Sequence, residues 1–407
     1  MSKTEMPSIR FYGFDNDWEQ RKLGGMASLI TKGTTPFDKS NTGVVNFVKI
    51  ESIDESSGNI TITQKISLDE HNGYLHRSQL KENDILFSIA GTLGRVTSVK
   101  SSILPANTNQ ALAIIRLKDG CLDYVKTYLK GKAVADFIKK NPTIGAQPNL
   151  SLEQVANLEI AIPSEDEQKI IGAFFQQLDN LIALHQRKFE KLTNVKKSML
   201  EKMFPQNGSS YPEIRFKGFT DPWEQWKVSD VITDIARPIE LMDNQRYQMV
   251  TVKRRNEGVV SRGFMYGRDI LVKNYYEVHT DDYLISKRQL VHGANGLVPE
   301  SLNNAVVSNE YMVCIGNEFV SAGFLALLSK TKSLKRDFFL SSYGVDIEKL
   351  VFDVDDWKKR LIVLPTIDEQ NKICAYFRCL DNLITLHQRE LEKLQNIKKS
   401  LLEKMFV

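Results

Sequence analysis

The sequence predicts an α+β chain built as a pseudo-twofold tandem repeat, in which two α/β bodies are joined by two long antiparallel, coiled-coil-like helices. Three observations predict it. Residues 166–204 recur at 368–406 without a gap, at a constant offset of 202, and 27 of the 39 positions are identical. A second shared segment opens each half: Pro7-Ser8-Ile9-Arg10-Phe11-Tyr12-Gly13-Phe14 with Trp18-Glu19-Gln20 returns as Pro212-Glu213-Ile214-Arg215-Phe216-Lys217-Gly218-Phe219 with Trp223-Glu224-Gln225. Between the shared pieces lie two stretches that differ in sequence but repeat a pattern of short β-rich runs followed by a helical one.

The repeating unit is therefore an aromatic clasp, a variable body and a long helix. Boundaries follow at 1–161 for the first body, 162–206 for the central helix, 207–363 for the second body and 364–407 for the last helix. The polar stretch Pro205-Gln206-Asn207-Gly208-Ser209-Ser210 reads as a linker. Phe11, Phe14 and Trp18 could stack on bases, but their sharing by both halves favours packing.

Each long helix has a marked start. Ser164 with Glu167, and Thr366 with Glu369, have capping-box spacing, in which the hydroxyl takes the N3 amide and the glutamate reaches back. Counting in sevens, Ile171, Leu178, His185, Leu192 and Met199 form one row, flanked by Phe174, Phe175, Leu181, Ile182, Phe189 and Val195. The second copy keeps the stripe with Ile373, Leu380, His387, Leu394 and Leu401. Each helix needs a partner, and the other copy is the obvious one. At ~1.5 Å per residue such a helix is a rod of roughly 58 Å. A bundle hairpin and a spacer both fit, and the faithful recurrence favours the spacer. His185 and His387 are the central residues of the two repeats, so antiparallel pairing should bring them together as a polar register layer. The alternative is that both rings turn out to solvent or to a docked subunit.

The first body carries β-rich runs at 44–48, 60–62, 84–88 and 111–115, then a helical stretch at 124–140; the second has them at 248–252, 282–286 and 310–314, then 322–339. Polar and basic clusters lie in the loops between. The candidate nucleic-acid contacts are Thr92, Arg95, Asn109, Gln110, Gln147 and Asn149 in the first body, and Lys253, Arg254, Arg255, Lys287, Arg288, Gln289, Asn295 and Tyr343 in the second. Arg, Lys, Asn and Gln are the side chains that read guanine and adenine edges, and neighbouring glycines allow close approach to a phosphate backbone.

With 42% hydrophobic and 26% charged residues over 407 positions, the composition is that of a soluble globular protein. No transmembrane run is present, and the first fourteen residues lack an apolar signal core, so a cytoplasmic location is expected. Cys121, Cys314, Cys374 and Cys379 form no CxxC pair, and the six histidines have no metal-ligand spacing, so no metal site is expected. The net charge of +4 requires any nucleic-acid surface to be concentrated locally. There is no P-loop, no Gly-rich cofactor fingerprint, no adenine-methyltransferase motif beyond Asn141-Pro142, and no nuclease set. Catalysis by this chain alone is not expected.

Two divergent bodies, each followed by a helix that opens Pro-x-x-Asp-Glu-Gln (163–168, 365–370) and ends Lys-Lys-Ser-x-Leu-Glu-Lys-Met-Phe, resemble the specificity subunit of a type I restriction-modification enzyme. The segment Phe-Ser-Ile-Ala-Gly-Thr-Leu-Gly-Arg (87–95) belongs to the same resemblance, which covers essentially the whole chain; the second body departs from it, with Lys287-Arg288-Gln289-Leu290 at the corresponding place. The resemblance implies two target recognition domains, each reading half of a split double-stranded DNA site, with the helices as a ruler. It implies two modification (methyltransferase) subunits docked on the helical region and restriction subunits that form an ATP-driven nuclease. S-adenosylmethionine, ATP and Mg are then expected on those partners, with none in this chain. A self-contained enzyme, a pure scaffold and a stand-alone DNA-binding dimerisation module are the rival readings.

Overall fold

The computed structural model describes residues 7–38, 40–54, 58–61, 63–141, 148–206 and 208–406. By contacts the chain divides into two compact units, residues 1–189 with 386–407, and residues 190–385. Each unit holds one body together with a portion of both long helices, Glu165–Lys202 and Ile367–Lys404.

In unit 1 a four-stranded antiparallel sheet runs in the order Ala27–Lys32, Leu112–Leu117, Ile85–Ser88, Val96–Ser98. Beside it a three-stranded sheet takes Gln64–Ile66, Val45–Val48 and Ala106–Thr108, the last pair parallel. The predicted run at 44–48 is a strand. That at 60–62 contributes only the isolated Ile53–Ile60 bridge, and Ile62 lies outside the described residues. The helical stretch at 124–140 is two helices, Leu122–Tyr128 and Lys132–Lys140, broken before Gly131, whose extended backbone serves as N-cap of the second.

Unit 2 repeats the plan. Its four-stranded sheet is Ile232–Asp234, Tyr311–Gly316, Tyr283–Ser286, Asn295–Leu297, and its second sheet is larger, with five strands ending in the hairpin Arg246–Lys253 and Gly258–Tyr266. Its helical stretch likewise splits into Ala322–Leu328 and Lys332–Leu340, because Thr331 stops one helix and caps the next through Leu334 N.

The clasps pack. Glu19–Lys22 pairs antiparallel with Glu159–Ile162, and Glu224–Lys227 with Leu361–Leu364, so each clasp is stitched to the strand that precedes a long helix. Trp18 and Trp223 are buried, which excludes them as a platform for stacking bases. The capping-box expectation needs a correction. Ser164 Oγ does accept from Glu167 N at 3.4 Å, but the Glu167 carboxylate turns away to Arg10, with contacts of 2.7 and 2.8 Å. Glu369 does the same with Arg215, at 2.8 and 2.7 Å. A two-armed charge-assisted pair outweighs one reach-back bond to an amide, particularly for a carboxylate removed from water. The glutamate also holds each guanidinium's pKa above its ordinary value.

The next residue of the motif is equally structural. Gln168 donates to Pro163 O and accepts from Cys121 N; Gln370 donates to Pro365 O and Phe319 O and accepts from Ser321 N. Asp-Glu-Gln thus ties the helix start to the clasp through the glutamate and to the body helices through the glutamine.

The Met-Phe that closes each helix is a core plug. In unit 1 Phe406 lies among Tyr124, Tyr128 and Phe175, with ring centroids 5.5–5.8 Å apart. In unit 2 Phe204 lies among Trp223, Phe324 and Phe377. Within unit 1 Leu178 and Ile182 meet Leu391 and Leu394, and Asp179 meets Lys398 at 2.6 Å, so rising numbers on one helix face falling numbers on the other and the pairing is antiparallel. Unit 2 has the equivalent Lys196–Asp381 ion pair. Leu181, counted in the stripe from its spacing, is 45% exposed, and its counterpart Leu383 is 38% exposed, each on the side of the helix away from the seam.

Candidate nucleic-acid interface

In unit 1 the loop at 89–95 joins Ile85–Ser88 to Val96–Ser98, and Ser88 organises it. The Ser88 hydroxyl donates to Thr92 O at 2.6 Å and accepts from Arg95 N at 2.7 Å, while Gly91 and Gly94 take φ of 73° and 82°, which glycine adopts without strain. Thr92 is left exposed at the turn. Ala90 forms an antiparallel bridge with Asn149, so the structure brings Thr92 and the exposed Asn149 to one place. Gln147 lies outside the described residues. Arg95 is half-buried and points back, Nη1 donating to Ile50 O at 3.4 Å. Asn109 is engaged locally with Ala111 N, and Gln110, exposed, accepts from the Thr35 hydroxyl.

In unit 2 the basic run forms the tip of the long hairpin. Arg254–Glu257 is a turn closed by Glu257 N to Arg254 O, with Arg255 and Asn256 at φ of 61° and 57°. Two left-handed central residues match the right-handed twist of the strands. Arg255 N donates to His292 O at 2.7 Å and Asn256 N to Gly293 O at 2.9 Å, so the tip is laid on the 287–294 loop, which carries Lys287, Arg288 and Gln289. Lys253, Arg254 and Arg255 are exposed, and Arg254 and His292 share Glu348, at 3.1 and 3.5 Å. Arg288 pairs with Glu310 at 2.6 Å, and Lys287 Nζ donates to Asn309 O at 3.0 Å. Tyr343 is 61% exposed, on the short strand paired with Val351–Phe352.

Asn295 requires correction: it is 3% exposed, and its Oδ1 accepts from Tyr283 and Ser329 hydroxyls at 3.0 and 2.7 Å. It supports the loop from within and offers no edge to a base. The two loops are topologically equivalent, since Leu150 N donates to Ile89 O in unit 1 as Phe352 N donates to Lys287 O in unit 2.

His185 and His387 are in contact, Nδ1 to Nδ1 at 3.1 Å, with rings 5.1 Å apart. Burial first, then His185 and Lys188, hold the His387 imidazole below its ordinary pKa. At 3.1 Å one ring must donate while the other accepts, so the contact itself requires at least one neutral imidazole.

One cationic and aromatic surface lay outside the predicted loops: Arg246, Phe264 and Tyr266 on the outer hairpin of unit 2, with Arg268 in the turn that follows it. The 258–266 strand carries no apolar alternation because most of it is exposed, so periodicity gave no sign of it.

Residues 15–194 match the family model described as the type I restriction modification DNA specificity domain. The match places this stretch beside DNA specificity domains in sequence. Along nearly its full length the chain is also similar to type I specificity subunits. The provisionally named MjaX type I restriction enzyme specificity subunit of Methanocaldococcus jannaschii is 24% identical, covering 98% of this chain and 94% of that one. The MjaVIII specificity subunit of the same organism is 22% identical, covering 95% and 91%. In structure the chain is similar to the S subunit of a type I restriction-modification system from M. genitalium, with a TM-score of 0.62, 14% identity and 99% of both chains covered. The matched stretch spans the first body and most of the central helix. Among the described residues, no helix is long and apolar enough to cross a membrane.

Proposed function

We propose that this chain is the DNA-reading subunit of a type I restriction-modification complex, each unit contacting one half of a split, asymmetric site. The observation that carries the reading is the combination of one repeated frame with two loop sets that differ. The clasp, the Asp-Glu-Gln anchor and the Phe plug are made from equivalent residues in both units, whereas the loop after the second central strand presents Thr92 beside Asn149 in one and basic residues under a hairpin tip in the other. A shared frame with unlike reading loops is what an asymmetric bipartite site demands. The contacts fall into two kinds: exposed arginines and lysines, which reach phosphates and position the duplex, and polar loop side chains, which read base edges.

In this reading two modification subunits dock on the helical region and restriction subunits join them. S-adenosylmethionine, ATP and Mg belong to those partners. The experiment that tests the assignment replaces Lys253, Arg254 and Arg255 together by alanine in the complex with the cognate modification subunit. One half-site should relax or bind more weakly, with a smaller salt slope if the lost contacts were to phosphate, while the other half-site is unaffected. Simultaneous relaxation of both halves would show that the units are not independent readers.

A further inference from the structure

The outer hairpin of unit 2 places Arg246 opposite Tyr266 and Gln248 opposite Phe264, and directly paired residues share a face of the ribbon. Gly258–Tyr266 is the edge strand of its five-stranded sheet. Phe264 is 56% exposed and Tyr266 38%, an aromatic edge that a protein ordinarily covers or charges. Here it is charged. The Arg246 guanidinium sits 5.0 Å from the Phe264 ring centre and 5.8 Å from that of Tyr266, and Arg268 sits 4.8 Å from Tyr266.

This stacking has a chemical consequence. The donors of a guanidinium lie in its plane, so a ring against its face fixes the group and leaves the N–H edge available. Arg10, Arg116, Arg215 and Arg237 instead spend two arms on a carboxylate. Arg262, also exposed, lies on the same strand at the irregularity opposite Met249 and Val250. Of the nearby acids, Asp243 is engaged by Lys273 at 3.3 Å and Asp269 lies in the adjoining turn. Four cations (Arg246, Arg262, Arg268, Lys273) stand against Asp243, Asp269 and Glu240, whose carbonyl accepts from the Tyr247 hydroxyl at 3.3 Å, so this surface keeps a net positive charge, complementary to a phosphate backbone.

We propose that this ribbon face is a phosphate grip for duplex DNA, with Arg246 and Arg268 donating to backbone oxygens and the two rings holding them in place. It rests on the reading of unit 2 as a half-site reader and deepens it, because it adds contacts that position the duplex without reading its bases. The grip belongs to the second half-site: the corresponding strands of unit 1, Val45–Val48 and Gln64–Ile66, are four and three residues long.

The test is fluorescence anisotropy of the full chain with its cognate modification subunit, on duplexes with and without the methylated site, across a salt series. Wild type is compared with R246A/R268A, R246K/R268K and F264A/Y266A. Loss of two phosphate contacts should reduce the salt slope by about 1.8, weaken both duplexes by the same factor and leave the methylated sequence unchanged. The lysine pair should keep the slope, and the ring variant should keep it while losing affinity. An unchanged slope in R246A/R268A overturns the grip, while wild-type binding would leave the half-site reading standing. If wild type binds no duplex, both fail. If R246A/R268A binds DNA normally but no longer assembles with the modification subunit, the face is a protein contact and the proposal is wrong.

Discussion

Lys130 shows how tightly a body is fixed to the helices beside it. It projects from the break between two short helices toward Asp179 at 3.6 Å, which Lys398 also reaches, and the three side chains are 18%, 12% and 15% exposed. Lys330, Asp381 and Lys196 are the counterparts in unit 2. Burial, with Lys398 and Lys126 adding to it and Asp179 opposing, lowers the Lys130 pKa to about 8. The unfolded chain, with a lysine near its ordinary 10.5, therefore binds more protons between pH 8 and 10.5, and this group's contribution to stability rises with pH across that window. Replacing Lys130 by Met should remove that rise, of the order of 2–3 kcal/mol in total, in denaturant midpoints measured at pH 8 and pH 10. Equal slopes for the two proteins would show that Lys130 is not charge-strained. Phe406 offers a second test at this scale: Phe406→Ala should cost unit 1 about 3–5 kcal/mol in denaturant unfolding, since three aromatic neighbours lose their partner. A loss under 1 kcal/mol would deny the plug.

At the scale of elements, the long helices and their antiparallel pairing were legible, and the anchors at their starts were not. A gapless repeat at offset 202 announces two helices of one kind, and a hydroxyl three residues before a glutamate announces their start. That Glu167 turns to Arg10, 157 residues away, is a tertiary choice invisible to local spacing. Leu181 was misplaced for a related reason, because a seven-residue count does not say where a seam ends and a solvent face begins. The loops show the same limit. Asn295 has the chemistry of a base reader and the position of a buried brace, and the 258–266 strand, exposed along most of its length, has no period to detect. Composition proposes side chains for a site, and burial decides which reach it. A prediction belongs here as well. Inserting four residues at matching positions of both helices adds ~6 Å of rise, close to two base-pair steps of ~3.4 Å, so the unspecified spacer of the methylated site should lengthen by about two base pairs with both blocks unchanged. Full activity on the original spacing would contradict the ruler.

For the whole molecule, the duplication constrains function more than any single residue does. Equivalent anchors appear at Glu167 and Glu369, Gln168 and Gln370, and Phe204 and Phe406, so the frame was kept while the loops diverged. The central claim is that two unlike readers share that frame. Sequencing that detects methylated adenine, applied to DNA from cells expressing this chain with its cognate modification subunit, tests it most directly. The account predicts one asymmetric site made of two short specified blocks separated by unspecified bases, with centres about one helical turn, or ~34 Å, apart. A continuous site, or a palindromic one with identical blocks, would contradict it.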